Sequence, residues 1–123
     1  MSAIAQAAPA GVSVGEHLAA LLDGEFARGL AGFSEQVVWH VPGHGQLAGV
    51  HRGREAVLAV LGELLAPTDG RLRIGYSLLS AHDPYLVEWL EIGAAGRATG
   101  CPVVSRSEAG RIHEVWWCGS AGV

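Results

Sequence analysis

The C-terminal part of the chain, residues 71–118, reads as one strand after another with few residues between them. The four strand-like segments are 71–80, 85–94, 98–107 and 111–118. Pro84, Gly96 and Gly110 mark the breaks, and turns this short join neighbouring antiparallel strands. Such a meander has an apolar face that other elements must cover, which restricts the chain to a few architectures.

Helical patterns come before the meander. Ser13 and Glu16 form a capping box that begins the first helix, and this helix breaks near Gly24. The elements that follow are a short helix carrying Phe26, a strand over 37–41, a Gly-rich loop through Arg52, and a helix from Gly53 that Pro67 ends. This order predicts an α+β domain of the pattern α-α-β-α-β-β-β-β, with its helices on one face of the sheet.

The composition fits one soluble domain. The chain of 123 residues is long enough for one core; residues 13–123 are assigned to it and residues 1–12 to a flexible N-terminal tail. Half of the residues are hydrophobic and 16% are charged, which predicts a large core, an apolar cavity or an interface. Because no apolar run reaches the roughly 18 residues of a membrane span and the N-terminus lacks a basic start, we expect a cytoplasmic protein without membrane contact.

The charges and ligand-type residues exclude some classes of function. With a net charge of −4 and no cluster of Lys and Arg, the chain is not expected to bind nucleic acid. His40, His44 and His51 are not spaced like metal ligands, and the two cysteines form no CxxC pair. We therefore expect neither a metal nor a cofactor.

The two cysteines have a second possible role. If Ala109 and Gly110 form a two-residue turn, Cys101 faces Cys118 across the last two strands, and Pro102 faces Trp117 in the same register. A disulfide fits this register, but two thiols are expected in a reducing compartment.

Four stretches of the sequence resemble the SnoaL-like group of the nuclear transport factor 2-like superfamily. They are residues 37–43, 47–49, 52–57 and 108–117, and the whole resemblance covers about residues 14 to 119. It implies a cone in which a curved sheet wraps over helices, encloses a pocket and often dimerises across the sheet. Members include polyketide cyclases, ketosteroid isomerases, limonene-epoxide hydrolases and domains that only bind, so the resemblance leaves the activity open.

The resemblance also implies where pocket groups should lie. The base of the ketosteroid isomerases matches a position on or beside His40, and their oxyanion acid matches Pro102, which has no proton to donate. The Arg, Asp and Asp of the epoxide hydrolases match Trp89, Glu91 and Trp117, so one acid of the three groups remains. This disfavours the hydrolase mechanism.

Strand alternation and the resemblance together give a candidate site. We predict that His40 transfers the proton and that Glu91 is its partner. The predicted pocket wall consists of Val38, Trp89, Val115, Trp117 and His113. The alternatives are a structural His40 bonded to backbone, a solvent-facing Glu91, and tryptophans that only pack.

Three functions fit these observations. The first is a cyclase or isomerase acting on a small, apolar, carbonyl-bearing or polyketide-like molecule, and the second is a domain that binds such a molecule without changing it. The third is an interaction domain, since the adjacent Trp116 and Trp117 must point to opposite faces of their strand. A tryptophan on the outer face predicts a homodimer through that face.

Overall fold

The computed structural model describes residues 12–43, 45–65, 73–94 and 97–118, so the predicted tail, apart from residue 12, lies outside the described residues. Within these ranges the chain forms three helices and six strands. The helices are α1 (Val14–Leu22), α2 (Phe26–Ala31) and α3 (Arg54–Leu65). The strands are β1 (Phe33–Val41), β2 (Gly49–Arg52), β3 (Arg73–His82), β4 (Tyr85–Ala94), β5 (Arg97–Glu108) and β6 (Arg111–Trp117). None of these helices has the length and apolar character needed to cross a membrane.

The six strands form one sheet in the order β2-β1-β6-β5-β4-β3. As predicted, β3 to β6 form a meander of antiparallel neighbours. Strand β1 joins this meander by pairing parallel to β6, and β2 pairs antiparallel with β1. The sheet is curved and open and carries the helices, which confirms the predicted α+β cone; β2 is a strand inside the region predicted as a loop.

Helix α1 begins where the capping box predicted. Ser13 Oγ accepts a hydrogen bond from the Glu16 amide at 3.0 Å. In a full capping box the Glu16 carboxylate would also accept from the Ser13 amide. Here it forms an ion pair instead, 3.4 Å from the Arg28 guanidinium on α2. The helix ends at Leu22, and Gly24, with a φ of 84°, turns the chain into α2.

Alternate residues of the strands divide the sheet into two faces. The inner face packs against the helices and holds the most deeply buried side chains, including Trp39, Leu90 and Val115. We assign to this inner face Val37, Trp39, Val41, Leu86, Glu88, Leu90, Val103, Ser105, Ile112, Val115 and Trp117. We assign to the partly exposed outer face Val38, His40, Arg52, Tyr85, Val87, Trp89, Glu91, Val104, Arg106, Glu114 and Trp116.

A β-bulge in β6 changes the expected register of the last two strands. Near the turn Ser107 pairs with Ile112, but the next pair is Arg106 with Glu114, so His113 is an extra residue. The bulge shifts every later pair by one position. The predicted Pro102–Trp117 and Cys101–Cys118 pairs are therefore wrong: Trp117 pairs with Val103, and the Cys118 amide donates to the Pro102 carbonyl at 3.3 Å.

Candidate functional site

The residues predicted for one pocket lie on two faces of the sheet. Val115 and Trp117 are buried on the inner face, and His113 is the half-buried bulge residue. Val38, His40, Trp89 and Glu91 lie on the outer face. The structure does not bring these residues together on one face, because the more apolar residues of each strand occupy the inner face. Their neighbours in sequence must then point outward.

His40 pairs with a different carboxylate from the one predicted. Its Nε2 lies 2.6 Å from Glu114 Oε2, and its ring stacks on Trp116 with centroids 5.3 Å apart and planes 3° apart. The other oxygen of Glu114 lies 3.6 Å from Arg106 Nε. Three strand spacings of about 4.8 Å separate β1 from β4. The predicted His40–Glu91 pair therefore does not form.

Trp89 and Glu91 form an exposed pair near the end of β4. The indole Nε1–H of Trp89 donates to Glu91 Oε2 at 3.4 Å. The ring lies over Gly100 on β5, where a Cβ atom would come within 2.4 Å of it. Glu91 has Gly100 on one side and Gly75 on the other, so neither neighbouring strand places a side chain beside its carboxylate.

Glu88 is the interior acid that the sequence reasoning missed. Among the described residues it is the one charged side chain that is buried, at 2% exposure. Its Oε1 accepts from the Val14 amide at 2.7 Å, and Ser13 Oγ donates to its Oε2. Glu88 therefore holds the start of α1 against the inner face of the sheet. Its position between Leu86 and Leu90 on one face of β4 was the signal that could have revealed it.

Two further polar groups on the inner face are buried without a hydrogen-bond partner in the described part of the chain. They are the indole Nε1–H of Trp39 and the hydroxyl of Ser105, and both residues are 0% exposed. They stand in one row across the sheet, since Trp39 pairs with Val115 and Val115 pairs with Ser105. An unpaired buried polar group costs about 1–3 kcal/mol, so each of them favours a ligand or water that can bond to it.

The surroundings of this row are aromatic and aliphatic. The Trp39 and Trp117 rings lie 5.9 Å apart, and Val103 and Val115 are buried beside them.

A separate apolar cavity of about 10 Å³, room for about one water, opens beside Arg54 between the helices and β1. Arg54 itself donates from Nε and Nη2 to the Phe33 carbonyl at 3.0 and 2.6 Å, which ties α3 to the start of β1.

The histidines considered as metal ligands do not form a described site. No three His, Cys, Asp or Glu side chains in the described ranges are grouped as metal ligands would be. His51 Nε2 lies 2.7 Å from the Leu47 carbonyl, and His44 lies outside the described residues.

Comparison with known proteins gives structural relatives and no sequence family. No family model matches the chain, and no curated protein matches it. Bal32a, from a soil-derived mobile gene cassette, has a TM-score of 0.70 and 27% identity over 83% of this chain and 82% of its own. A cystatin-like protein of unknown function from Xanthomonas campestris has a TM-score of 0.64 and 27% identity, over 85% and 86%.

More distant relatives identify the type of fold. Proteins from Burkholderia species named NTF2-like, and others named after SnoaL-like polyketide cyclases and ketosteroid isomerases, share it at 14% to 20% identity. A computationally designed 17-OHP binder has a TM-score of 0.63 and 19% identity, over 87% of this chain and 88% of its own.

Proposed function

We propose that this chain, which has the fold of the nuclear transport factor 2-like superfamily, binds a small, mostly apolar molecule against the inner face of its sheet. The observation that carries this proposal is the pair of buried, unpartnered groups on that face, Trp39 Nε1–H and the Ser105 hydroxyl. Apolar walls with a few well-placed polar groups are typical of small-molecule sites. The designed 17-OHP binder supports it, since a protein of this fold has been designed to bind 17-OHP.

The chemistry of these groups limits the ligand. An indole N–H can only donate, so the ligand atom beside Trp39 must be a hydrogen-bond acceptor. Two strand spacings, about 10 Å, separate the backbones of Trp39 and Ser105, and Val115 lies between them on the same face. A neutral molecule with a carbonyl or ether oxygen and an otherwise apolar body satisfies both groups.

Binding is better supported than proton transfer. The inner-face residues on either side of His40 are Trp39 and Val41, and neither can serve as a base. The buried carboxylate of the described interior is Glu88, and both of its oxygens already accept hydrogen bonds from the start of α1. A cyclase or isomerase reaction that used Glu88 would have to break these bonds.

A panel of neutral apolar ketones, tested together with 17-OHP, checks the proposal by tryptophan fluorescence and calorimetry. Ser105→Ala and Trp39→Phe should each weaken binding about tenfold, the equivalent of about 1.4 kcal/mol for one lost hydrogen bond. Ser77→Ala and Trp89→Phe, which change the same residue types on β3 and the outer face, should leave affinity unchanged. Equal affinity in all four variants, or no binding by any ketone, would contradict the proposal.

Analysis of the recovered ligand separates binding from catalysis. Mass spectrometry should return each ketone unchanged after long incubation with the protein. A chemically altered product would favour the cyclase or isomerase alternative, and Glu88→Gln would then be the first variant to test for loss of turnover.

The outer face favours a second role, association with another copy of this chain. Tyr85 and Trp89 are 44% and 36% exposed there, and Val87, Val104 and Trp116 between them are partly buried. A contiguous apolar area of this kind on a sheet is typical of a protein interface. We infer that the chain forms a homodimer through this face.

Sedimentation velocity over a range of concentrations tests the dimer. Trp116→Ser should raise the dissociation constant at least tenfold, because Trp116 is a large aromatic group of this area. Leu58→Ser, which removes a residue of α3 that is 37% exposed, should leave it unchanged. A monomer at every concentration would exclude the dimer.

A further inference from the structure

Three charged side chains on the outer face, Glu91, Arg52 and Arg73, make no ion pair with any described residue. Glu91 on β4 is exposed, and its one hydrogen bond comes from the Trp89 indole. Arg52 on β2 is exposed and pairs in register with Val38, which places its side chain on the same face. The Glu91 carboxylate and the Arg52 guanidinium thus stand apart on one surface, both exposed to solvent.

The other charged groups near the centre of the outer face compensate one another. Glu114 lies between His40 at 2.6 Å and Arg106 at 3.6 Å. Arg106 also pairs with Glu108 at 2.9 Å. This cluster is paired within the chain, whereas Glu91 and Arg52 are exposed and available to a charged group of another protomer.

Trp116 lies near the midpoint between Glu91 and Arg52 on the outer face. In the strand order β2-β1-β6-β5-β4, β6 stands midway between the strand of Arg52 and the strand of Glu91. Along the strands, Arg52 is level with Glu114, two residues before Trp116, and Glu91 lies beyond Trp116 on the other side. Trp116 therefore lies close to the midpoint of the line that joins them.

We propose that Glu91 of each protomer pairs with Arg52 of the other in the homodimer inferred above, on which this inference rests. In a twofold interface a contact between residue i and residue j occurs twice, so one geometry satisfies all four charges. The same arrangement brings the two Trp116 side chains together near the axis, with Val87 and Val104 around them. Charge complementarity across the apolar area then fixes how the two sheets are placed on each other.

Two other arginines are the competing partners for Glu91. Arg73 on β3 pairs with Gly93 and lies near Glu91 on the same protomer, without an ion pair to it. Arg111 is exposed at the turn between β5 and β6. Neither lies across Trp116 from Glu91, so neither meets Glu91 in the proposed dimer.

Charge reversal tests the pairing by sedimentation velocity. Glu91→Arg and Arg52→Glu should each raise the dimer dissociation constant at least tenfold, because two like-charge contacts replace two attractive ones. The double variant Arg52→Glu/Glu91→Arg should return to within threefold of the unaltered chain. An equimolar mixture of the two single variants should form a heterodimer, since both of its contacts are attractive.

The controls separate the pairing from the dimer itself. Glu63→Arg, an exposed acid of α3, should not change association, and thermal unfolding should show that the single variants stay folded. If the unaltered chain is monomeric, the dimer proposal fails. If it is dimeric and the double variant or the mixture does not recover, or if Glu91→Arg is rescued by Arg73→Glu or Arg111→Glu, the Glu91–Arg52 pairing is wrong.

Discussion

At the scale of single residues, Glu88 shows how much one buried carboxylate can do. It accepts from the Val14 amide at 2.7 Å and from Ser13 Oγ, so it fastens α1 to β4 across the inner face. Glu88→Ala would leave both donors without this acceptor, and hydrogen bonds to a charged group contribute about 1.5–3 kcal/mol. We expect the free energy of unfolding to fall by about 3 kcal/mol, measured by urea denaturation.

Two variants on the same strand make this prediction specific. Glu88→Gln should lose less stability, because the amide oxygen still accepts from one donor. Glu91→Ala, on the exposed face of β4, should change stability by about 0.5 kcal/mol or less. Equal denaturation midpoints for Glu88→Ala and Glu91→Ala would show that Glu88 does not hold α1.

The placement of His40 shows what residue-level reasoning could and could not reach. Alternation correctly separated Val38 and His40 from Val37, Trp39 and Val41. Hydrophobicity alone predicts that Val37, Trp39 and Val41 face the interior, and all three are buried in the structure. The resemblance pointed instead to His40 as an interior base, although its neighbours Trp39 and Val41 hold the inner positions. A catalytic role for His40 stays a prediction, now on the outer face beside Glu114.

At the scale of elements, the ends of strands could be predicted where turn residues mark them in the sequence. The predicted strand 85–94 matches β4, because Asp83 and Pro84 supply a turn at one end. Strand β2 has no such pattern: its four residues begin with a glycine, and its conformation comes from pairing with β1. The His113 bulge was missed, although two polar residues, His113 and Glu114, separate the buried Ile112 and Val115 and so break the alternation there. Hence the turn was predicted, and the register beyond it was not.

At the scale of the whole molecule, the meander and the resemblance were sufficient for the fold but not for the site. The parallel pairing of β1 with β6 closes the inner face over Trp39 and Trp117, and it depends on contacts far apart in sequence. The same pairing places His40 beside Trp116 and Glu114 on the other side of the sheet. One sheet thus separates a proposed ligand site from a proposed dimer interface.

This separation predicts that ligand and dimer affinity are independent. Trp117 and Trp116 are adjacent in β6 but point to opposite faces. The ligand and the second protomer therefore contact different residues. Glu91→Arg, used as a monomeric variant, should bind the tightest ketone of the panel with a dissociation constant within twofold of the unaltered dimer. Saturation with that ketone should leave the dimer dissociation constant unchanged to the same degree. Because coupling between binding sites is reciprocal, a tenfold effect should appear in both measurements or in neither. Such an effect in both would show that the sheet transmits strain between its two faces.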